Sequence, residues 1–360
     1  MLNNVTLSFE KPLPSYAQLE QALRSAIVAR RLAPGSQLPE ERELARQFSV
    51  SRGTLRRALG QLEEAGLLVR RQGHGTFVAE PEKLPAVPIA VMIEGDPMRA
   101  AKGFPGEVFQ ALTQAASQHG VELLLRSSLS QRTALEPGAF IFIFPTDKEP
   151  LRQLVAQGRA VVSVDYVIDE PGVDSIVFDN VTIAREITRH LLSLGHRRIG
   201  YLEPRVEMDT HFVTETNSPL RLQGMREALR EAPGAEEWIR ALTLDEREIA
   251  RDLPALLQTD PRPTAFLAFD ETSANGIWLA AQKMGLRVPE DLSIACLRLL
   301  DRPPRAGVDW SGYGVTLADL GRMAVERALE RIQTREKHGL HIFTQHSWCP
   351  GATCAPVNGK

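Results

Sequence analysis

The sequence predicts two unlike parts: a small, mostly helical domain at the amino end and a larger α/β region with parallel sheets behind it. Its 360 residues exceed what one hydrophobic core usually holds, which predicts two or three domains. Helical spacing of apolar residues dominates the first part. Short apolar runs alternate with helical stretches from Ile89 onward, which is the pattern of an α/β fold.

A proline-rich segment separates the two parts. Residues 80–88 place three prolines among charged side chains, a composition that resists both helix and sheet and favours a semi-stiff spacer. We therefore predict domains at 1–79 and 89–356, with 80–88 as the linker between them.

Composition places the chain among globular proteins. It is 43% hydrophobic and 24% charged with a formal net charge of −3, which excludes collagen-like and wholly disordered classes. No stretch approaches the roughly 18 uninterrupted apolar residues of a membrane span, and residues 1–10 lack a secretory signal pattern, so we expect a cytoplasmic protein. Cys296, Cys349 and Cys354 lack histidine partners at zinc spacing, so we expect free thiols and no metal site.

Three helices are predicted in the first part. Apolar residues recur at helical spacing within 16–29, and a second helical pattern opens at Pro39. A short turn at 49–50 leads to Ser51, a favourable N-cap for a third helix. Two helices joined by a short turn are typical of a helix-turn-helix.

The third helix has two chemically distinct faces. Leu55, Leu59 and Leu62 share one side. Arg52 and Arg56, four residues apart, lie only about 40° apart on the opposite side. We expect the leucines to pack and the arginines to point outward.

A small β hairpin is predicted after the helices. Apolar residues at 67–69 and 76–78 flank a glycine-containing turn, with His74 at its tip. Such a hairpin beside a helix-turn-helix forms a wing.

Charge is unevenly distributed along the chain. Residues 1–80 carry eleven basic and eight acidic side chains, whereas the remainder carries 31 basic and 37 acidic. Within the basic part, residues 51–57 hold three arginines and no acid. A positive stripe of this kind favours a polyanion site, although three arginines taken alone are more often a solvated helix face.

The first part resembles the winged helix of GntR-family repressors. The matching segments are 34–39, 41–45, 50–52, 54–56, 58–59, 62, 66–67 and 75–78. The resemblance implies that Arg42, Arg52, Thr54 and Arg56 meet the major groove of DNA and its phosphates, and that Gly75 lies near the minor groove. Glu40 and Gly53 depart from the usual Ser and Thr, which predicts an altered sequence preference.

The chemistry of arginine supports the same interpretation. Arg52 or Arg56 is the candidate for bidentate contact with guanine, an interaction that discriminates by about 1–3 kcal/mol. Arg57, Arg70 and Arg71 are candidates for phosphate contacts, with pairing to an acid in the same domain an equal alternative for Arg57. The predicted DNA-binding set is Arg42, Ser51, Arg52, Thr54, Arg56, Arg57, Arg71, His74 and Gly75.

Short apolar runs mark the strands of the second part. They fall at 89–93, 121–125, 140–144, 160–164, 175–178, 199–202, 265–269 and 293–297. Parallel sheets bind ligands beyond the carboxyl ends of their strands. The residues at those ends are 94–96, 145–147, Asp165, Asp270, Glu271 and Arg298.

This region resembles the effector domain of LacI/GalR repressors, which is akin to periplasmic sugar-binding proteins. The matching positions are 179–180, 190–191, 194–199, 221–224, 263–265, 274, 276 and 285–293. The resemblance implies two doubly wound parallel-sheet subdomains that close on a small molecule, often a sugar, and a homodimer. GntR-type readers joined to such a domain form a class that includes arabinose-responsive repressors.

Two departures from that family bear on the ligand. Asp270-Glu271 replaces the usual Asn-Asp, and Arg298 stands where the family has an aspartate. With Arg221 implied as an effector-binding residue, two guanidinium groups facing the cleft would suit a carboxylate or phosphate. We therefore expect a sugar or sugar-acid effector bound by Asp96, Asp165, Arg221, Asp270, Glu271 and Arg298.

Structural roles remain open for several of these residues. Arg298 can equally form an internal ion pair with Asp270, Glu271 or Asp301. Asp179 and Asn180 precede a helix, which favours capping roles over ligand contact.

The functional prediction is a ligand-controlled transcriptional repressor. A dimer would present two winged helices to the half-sites of a pseudo-palindromic operator, and effector binding would alter that presentation through the linker. The sequence lacks a Gly-x-Ser-x-Gly elbow, a phosphate-binding loop and a metal-spaced histidine cluster, so we expect neither catalysis nor a cofactor. The alternative is a stand-alone ligand-binding or sensory protein with a degenerate DNA reader.

Overall fold

The structure is a computed structural model that describes residues 15–28, 32–71, 73–80, 87–93, 103–130, 136–145, 147–204, 217–242, 245–258, 261–334 and 338–357. Among these residues, no helix combines the length and apolarity needed to span a bilayer.

The amino-terminal domain contains three helices and a two-stranded hairpin. The elements are α1 (Ser15–Val28), α2 (Glu41–Gln47), α3 (Arg52–Glu64), β1 (Leu68–Arg71) and β2 (Gly75–Val78). The strands pair antiparallel. Ser51 caps α3, because its hydroxyl accepts a hydrogen bond from the Thr54 amide at 3.0 Å. The predicted helix-turn-helix and wing therefore both form.

The first α/β subdomain is a six-stranded sheet in the order β13-β7-β6-β5-β3-β4. All its strand pairs are parallel. Because helices cover the faces of a parallel sheet, its strands are mostly apolar, and every residue of β3, β5, β6 and β7 is buried. The strands are β3 (Ile89–Ile93), β4 (Leu123–Arg126), β5 (Ala139–Ile143), β6 (Ala160–Val164), β7 (Val173–Val177) and β13 (His341–Phe343), with helices α4 (Phe104–Gln118), α5 (Glu149–Ala156) and α10 (Leu317–Thr334).

The second subdomain repeats this plan in the order β14-β12-β11-β10-β8-β9. Its pairs are parallel except β12 with β14. The strands are β8 (Arg198–Pro204), β9 (Glu236–Leu242), β10 (Ala265–Ala268), β11 (Ser293–Leu299), β12 (Ser311–Val315) and β14 (Ser347–Cys349), with helices α6 (Asn180–Ser193), α7 (Asn217–Arg230), α8 (Glu246–Leu256) and α9 (Glu271–Lys283).

The chain passes between the two subdomains three times. It leaves the first sheet after β7, returns after β12 to form α10 and β13, and crosses again to β14. Helix α10 packs on β5, β6 and β7, which confirms its place in the first subdomain. The carboxyl ends of both sheets therefore meet near these crossings.

The ends of the predicted linker pack against different cores. Ala79 is buried with the amino-terminal helices, and Val87 is buried against the first sheet. The Pro88 carbonyl accepts a hydrogen bond from the Gly138 amide at 3.0 Å. Val87 thus packs with the α/β region although the sequence pattern assigns it to the linker.

Candidate DNA interface and ligand cleft

Helix α3 separates its apolar and charged faces completely. Leu55, Leu59 and Leu62 are at most 1% exposed, whereas Arg52 and Arg56 are exposed. The leucines pack against the other helices of the domain because α3 must bury this stripe. The arginines consequently point away from the core, as the sequence predicts.

Arg56 is anchored by an acid from the preceding helix. Its Nε donates to the Oε2 of Glu41 at 2.7 Å. The other carboxylate oxygen of Glu41 lies 3.6 Å from Nη2 of Arg70 on β1. One carboxylate therefore joins α2, α3 and the first wing strand.

Arg57 and Arg71 lie over aromatic rings. The Arg57 guanidinium is 3.8 Å from the Tyr16 ring centroid, and that of Arg71 is 4.6 Å from the Phe77 centroid. Arg71 also lies 3.4 Å from Glu80. Arg57 thus has an aromatic partner that the sequence analysis did not identify.

The side chains of Arg42 and Arg52 are exposed and, within the described part of the chain, have no hydrogen bond or ion pair. Thr54 has one, since its hydroxyl lies 2.8 Å from that of Ser51. The two hydroxyls at the start of α3 therefore bond to each other, while the two arginines keep their donors available.

The wing tip is fixed by Gln37. Its Nε2 donates to the His74 carbonyl at 2.7 Å. The neighbouring Gly75 has φ +104°, and a Cβ there would lie 2.8 Å from the same nitrogen. The positive φ favours glycine at this position, and an added Cβ would displace the Gln37 side chain.

A chain of hydrogen bonds links Arg221 to Asp165. Nε of Arg221 donates to Oδ1 of Asn180 at 2.7 Å. Nδ2 of Asn180 lies 3.2 Å from Oδ1 of Asn217, and Nδ2 of Asn217 donates to Oδ2 of Asp165 at 3.0 Å. Because Asp165 follows β6 and the other three residues belong to the second subdomain, the chain crosses the boundary between subdomains.

Arg221 is buried, and among the residues that the structure describes its side chain bonds no carboxylate. Its Nη1 donates to the Phe269 carbonyl, and its guanidinium lies 3.8 Å from the Phe269 ring centroid. Burial lowers the pKa of Arg221, and Tyr201 and Asp165 partly oppose this. The hydrogen-bond acceptors around the positive charge are therefore neutral groups.

Asp165 is strained, buried and incompletely satisfied. Its φ is +62°, in the left-handed region of backbone conformation that residues other than glycine seldom adopt. Its Oδ1 is buried and has no hydrogen-bond partner among the described residues. Burial raises the pKa of Asp165 to about 7, although Arg221 and Asn217 favour the charged form.

A second polar group forms around Glu271. Arg298 Nε lies 3.4 Å from its carboxylate, and Arg298 Nη1 donates to the Trp310 carbonyl at 2.7 Å. The Arg305 amide donates to the same carboxylate at 3.3 Å. Arg298 thus adopts the internal ion pair that the sequence left open, and the pairing balances its charge.

The other residues discussed for the ligand site are Asp270 and Asp96, together with Asp179 and Asn180, for which the sequence favours capping roles. Asp270 caps α9 by accepting from the Ser273 amide at 2.8 Å, and Asp179 caps α6 by accepting from the Thr182 amide at 3.0 Å. The capping role favoured for Asn180 is wrong, because its side chain bonds Arg221 and Asn217 instead. Asp96 lies outside the described residues.

Sequence reasoning missed two polar residues in the region around Arg221. Asn217 begins α7, and Tyr201 lies on β8 with its hydroxyl 2.9 Å from that of Ser218. Burial raises the pKa of Tyr201 to about 12, so it is a neutral hydrogen-bonding group. The polar pair Asn217-Ser218 at the start of a helix was the available signal.

Comparison with known proteins identifies both parts. A family model described as "Bacterial regulatory proteins, gntR family" matches residues 15–78, and one described as "Periplasmic binding protein-like domain" matches 188–354. The chain is 29% identical over 356 residues to the arabinose metabolism transcriptional repressor of Geobacillus stearothermophilus, covering 91% of this chain and 93% of that protein. It is 31% identical over 175 residues to the ribose operon repressor of Haemophilus influenzae, covering 48% of this chain and 51% of that protein.

Solved structures support the same assignment for the α/β region. A LacI transcriptional regulator from Rhodococcus species superimposes with a TM-score of 0.60 at 22% identity, covering 75% of this chain and 98% of that one. A LacI family regulator from Enterococcus faecium with bound ribose superimposes with a TM-score of 0.58 at 19% identity, covering 75% and 100%. Residues 15–78 therefore match the GntR-family model, residues 188–354 match the periplasmic-binding-protein-like model, and the α/β region has the fold of the solved LacI-family regulators.

Proposed function

We propose that this protein is a transcriptional repressor that reads operator DNA with its amino-terminal domain and is controlled by a small molecule bound between its α/β subdomains. The observation that carries the proposal is the division of α3, whose leucines are buried while Arg52 and Arg56 are exposed. A helix of this kind fits the major groove of B-DNA. The similarity to an arabinose metabolism transcriptional repressor over 91% of this chain supports it.

DNA reading is assigned to α3, α2 and the wing. Arg42 and Arg52 have donors available for bases or phosphates, and Arg56 extends from its contact with Glu41. Arg57 and Arg71 can meet phosphates with the edges of their guanidinium groups while the faces of those groups lie over the rings of Tyr16 and Phe77. Gly75 brings the wing tip close to the DNA backbone.

The ligand is a small sugar or sugar acid. Asp165, Asn180 and Asn217 supply acceptors and donors for hydroxyl groups, and the free Oδ1 of Asp165 suits a hydroxyl donor. Arg221 keeps a positive charge among neutral acceptors, which leaves room for a carboxylate on the sugar. Arg298 contributes less charge than the sequence implies, because Glu271 is its partner.

Control requires that the ligand change the relation between the subdomains. The contacts that join them include Asn217 with Asp165, and Arg302 of the second subdomain with Glu107 on α4 at 3.1 Å. A ligand that bonds Asp165 and Arg221 together would favour one arrangement over others. A cytoplasmic homodimer that binds two operator half-sites is part of the proposal.

The test is selection of DNA from a random-sequence pool by the full chain, followed by fluorescence anisotropy on the selected duplex. We expect a pseudo-palindromic site and binding that weakens steeply with salt, by about 0.9 in log–log slope for each neutralised phosphate. Arg52→Ala with Arg56→Ala should remove the site preference. If no duplex is enriched and no salt-sensitive binding is found, the stand-alone sensory protein is the better description.

A further inference from the structure

Glu41 lies at the point where the three DNA-facing elements meet. It is the first residue of α2, and its side chain is 25% exposed beside the 66% exposed Arg56 of α3. Its two oxygens face Arg56 at 2.7 Å and Arg70 of β1 at 3.6 Å. An acid in this place opposes the phosphates of approaching DNA, so its presence needs an explanation other than attraction.

The atom used by Arg56 provides that explanation. Glu41 engages Nε, the nitrogen nearest the aliphatic stem, and within the described residues neither terminal nitrogen of Arg56 has a hydrogen bond. Bidentate reading of guanine O6 and N7 uses such a free pair of donors. The contact therefore fixes the side chain while leaving its recognition edge available.

Fixing the side chain in advance favours specific binding. A long arginine side chain loses rotamer freedom when it docks, and one that is already held loses less. Arg52, which has no such partner among the described residues, differs from Arg56 in this respect.

We propose that Glu41 is a positioning residue that orients Arg56 to read a guanine in the operator. This inference rests on the proposed DNA-binding function and adds a determinant of its specificity. Glu41 acts through Arg56 and does not itself need to touch DNA.

Glu43 provides a matched control. It lies in the same first turn of α2 and carries the same charge, and its exposed side chain has no hydrogen bond or ion pair to the part of the chain that the structure describes. Glu41→Ala and Glu43→Ala remove equal charge from equivalent helix positions. A purely electrostatic role predicts that both variants bind every duplex more tightly and to a similar extent.

The experiment measures discrimination with the full chain. The probe is the duplex that the wild type selects from a random pool, compared with duplexes in which single G·C pairs are replaced; Arg56→Ala identifies the guanine that Arg56 reads. We expect Glu41→Ala to lower discrimination at that pair by about tenfold, Glu41→Gln to retain part of it through its amide oxygen, and Glu43→Ala to leave it unchanged. In the Arg56→Ala background, Glu41→Ala should have no further effect.

Two results would overturn the inference. One is that Glu41→Ala leaves discrimination at that base pair unchanged. The other is that Glu41→Ala lowers discrimination equally in the wild type and in the Arg56→Ala background. Thermal unfolding of Glu41→Ala and Glu43→Ala should match, which separates positioning from lost folding. If the wild type itself selects no duplex, the DNA-binding function fails instead, so the two failures are distinguishable.

Discussion

Asn217 donates a hydrogen bond to Asp165 at 3.0 Å, and this contact joins the two α/β subdomains. It places a strained, buried carboxylate at the end of β6 against the first residue of α7. The other oxygen of Asp165 has no hydrogen-bond partner in the described part of the protein. A ligand donor can satisfy that oxygen, which makes this contact the centre of the proposed cleft.

Asp165→Asn should stabilise the protein at alkaline pH. Burial raises the pKa of Asp165 from 3.8 to about 7, so between these values the folded state holds a proton that the unfolded state releases. The free energy of unfolding therefore falls as pH rises through this window, by about 4 kcal/mol at most. Asparagine removes the titration and tolerates positive φ.

The measurement is thermal unfolding of the wild type and Asp165→Asn between pH 4 and 8. The variant should unfold at a higher temperature at pH 8, and the difference should shrink toward pH 4. Asp169→Asn, at an exposed aspartate nearby, serves as the control and should leave the pH profile unchanged. Parallel profiles for wild type and Asp165→Asn would show that this carboxyl does not titrate in the window.

Arg52→Ala should weaken and broaden DNA recognition. Loss of a bidentate base contact costs about 1–3 kcal/mol and relaxes preference at one position, whereas loss of a phosphate contact weakens all sequences alike and lowers the salt slope by about 0.9. Anisotropy on cognate and substituted duplexes at several salt concentrations distinguishes these outcomes. Arg251→Ala, on exposed α8, is the control for a lost positive charge. Unchanged binding would assign base reading to another residue.

The sequence predicts most of the fold because buried strands are apolar. Strands β3, β5 and β6 are recognisable as short hydrophobic runs. The edge strand β9 was missed, since Glu236–Leu242 mixes charged and apolar residues, as expected where one edge faces solvent. The strands β13 and β14 are three residues each, too short for a periodic signal.

The site is predicted less completely because its partners are distant in sequence. The strand-end rule identified Asp165, and family resemblance identified Arg221. Neither could show that Asn180 bonds Arg221, 41 residues away, in place of capping a helix. The orientation of the Arg298 side chain likewise depends on Glu271, which lies 27 residues earlier on another element.

Asp174→Asn should destabilise the first subdomain. Asp174 is fully buried and accepts hydrogen bonds from Arg327 at 3.1 Å, Arg331 at 3.0 Å and the Leu340 amide at 2.8 Å. Asparagine removes the negative charge that the buried guanidinium groups of Arg327 and Arg331 share. Its loss should lower the free energy of unfolding by about 3–5 kcal/mol.

Urea denaturation measures this effect. Glu231→Gln, which disrupts the exposed pair between Glu231 and Arg189, should leave the urea midpoint almost unchanged. Equal midpoints for Asp174→Asn and the wild type would contradict the assigned role of this buried network in holding α10 and β13 to β7.

Gly75→Ala should weaken DNA binding without affecting the cleft. Alanine at this φ is strained by about 1–3 kcal/mol, and its Cβ would displace the Gln37 side chain whose amide holds the His74 carbonyl. Gly73→Ala is the matched control, because Gly73 has φ +75° but open space around the added carbon. Anisotropy should show a larger loss for Gly75→Ala than for Gly73→Ala. Equal losses of DNA affinity would mean that backbone strain alone, and not the contact with Gln37, accounts for the effect of Gly75→Ala.

The most direct test of control by a ligand is the affinity of a sugar measured with and without DNA. A panel of pentoses, hexoses and sugar acids, screened by thermal shift, supplies the probe, and calorimetry then gives its dissociation constant for the free protein and for the complex with the selected duplex. Linkage requires the duplex to change sugar affinity by the same factor as the sugar changes DNA affinity, about 5- to 150-fold. Equal sugar dissociation constants in the two states would contradict the account.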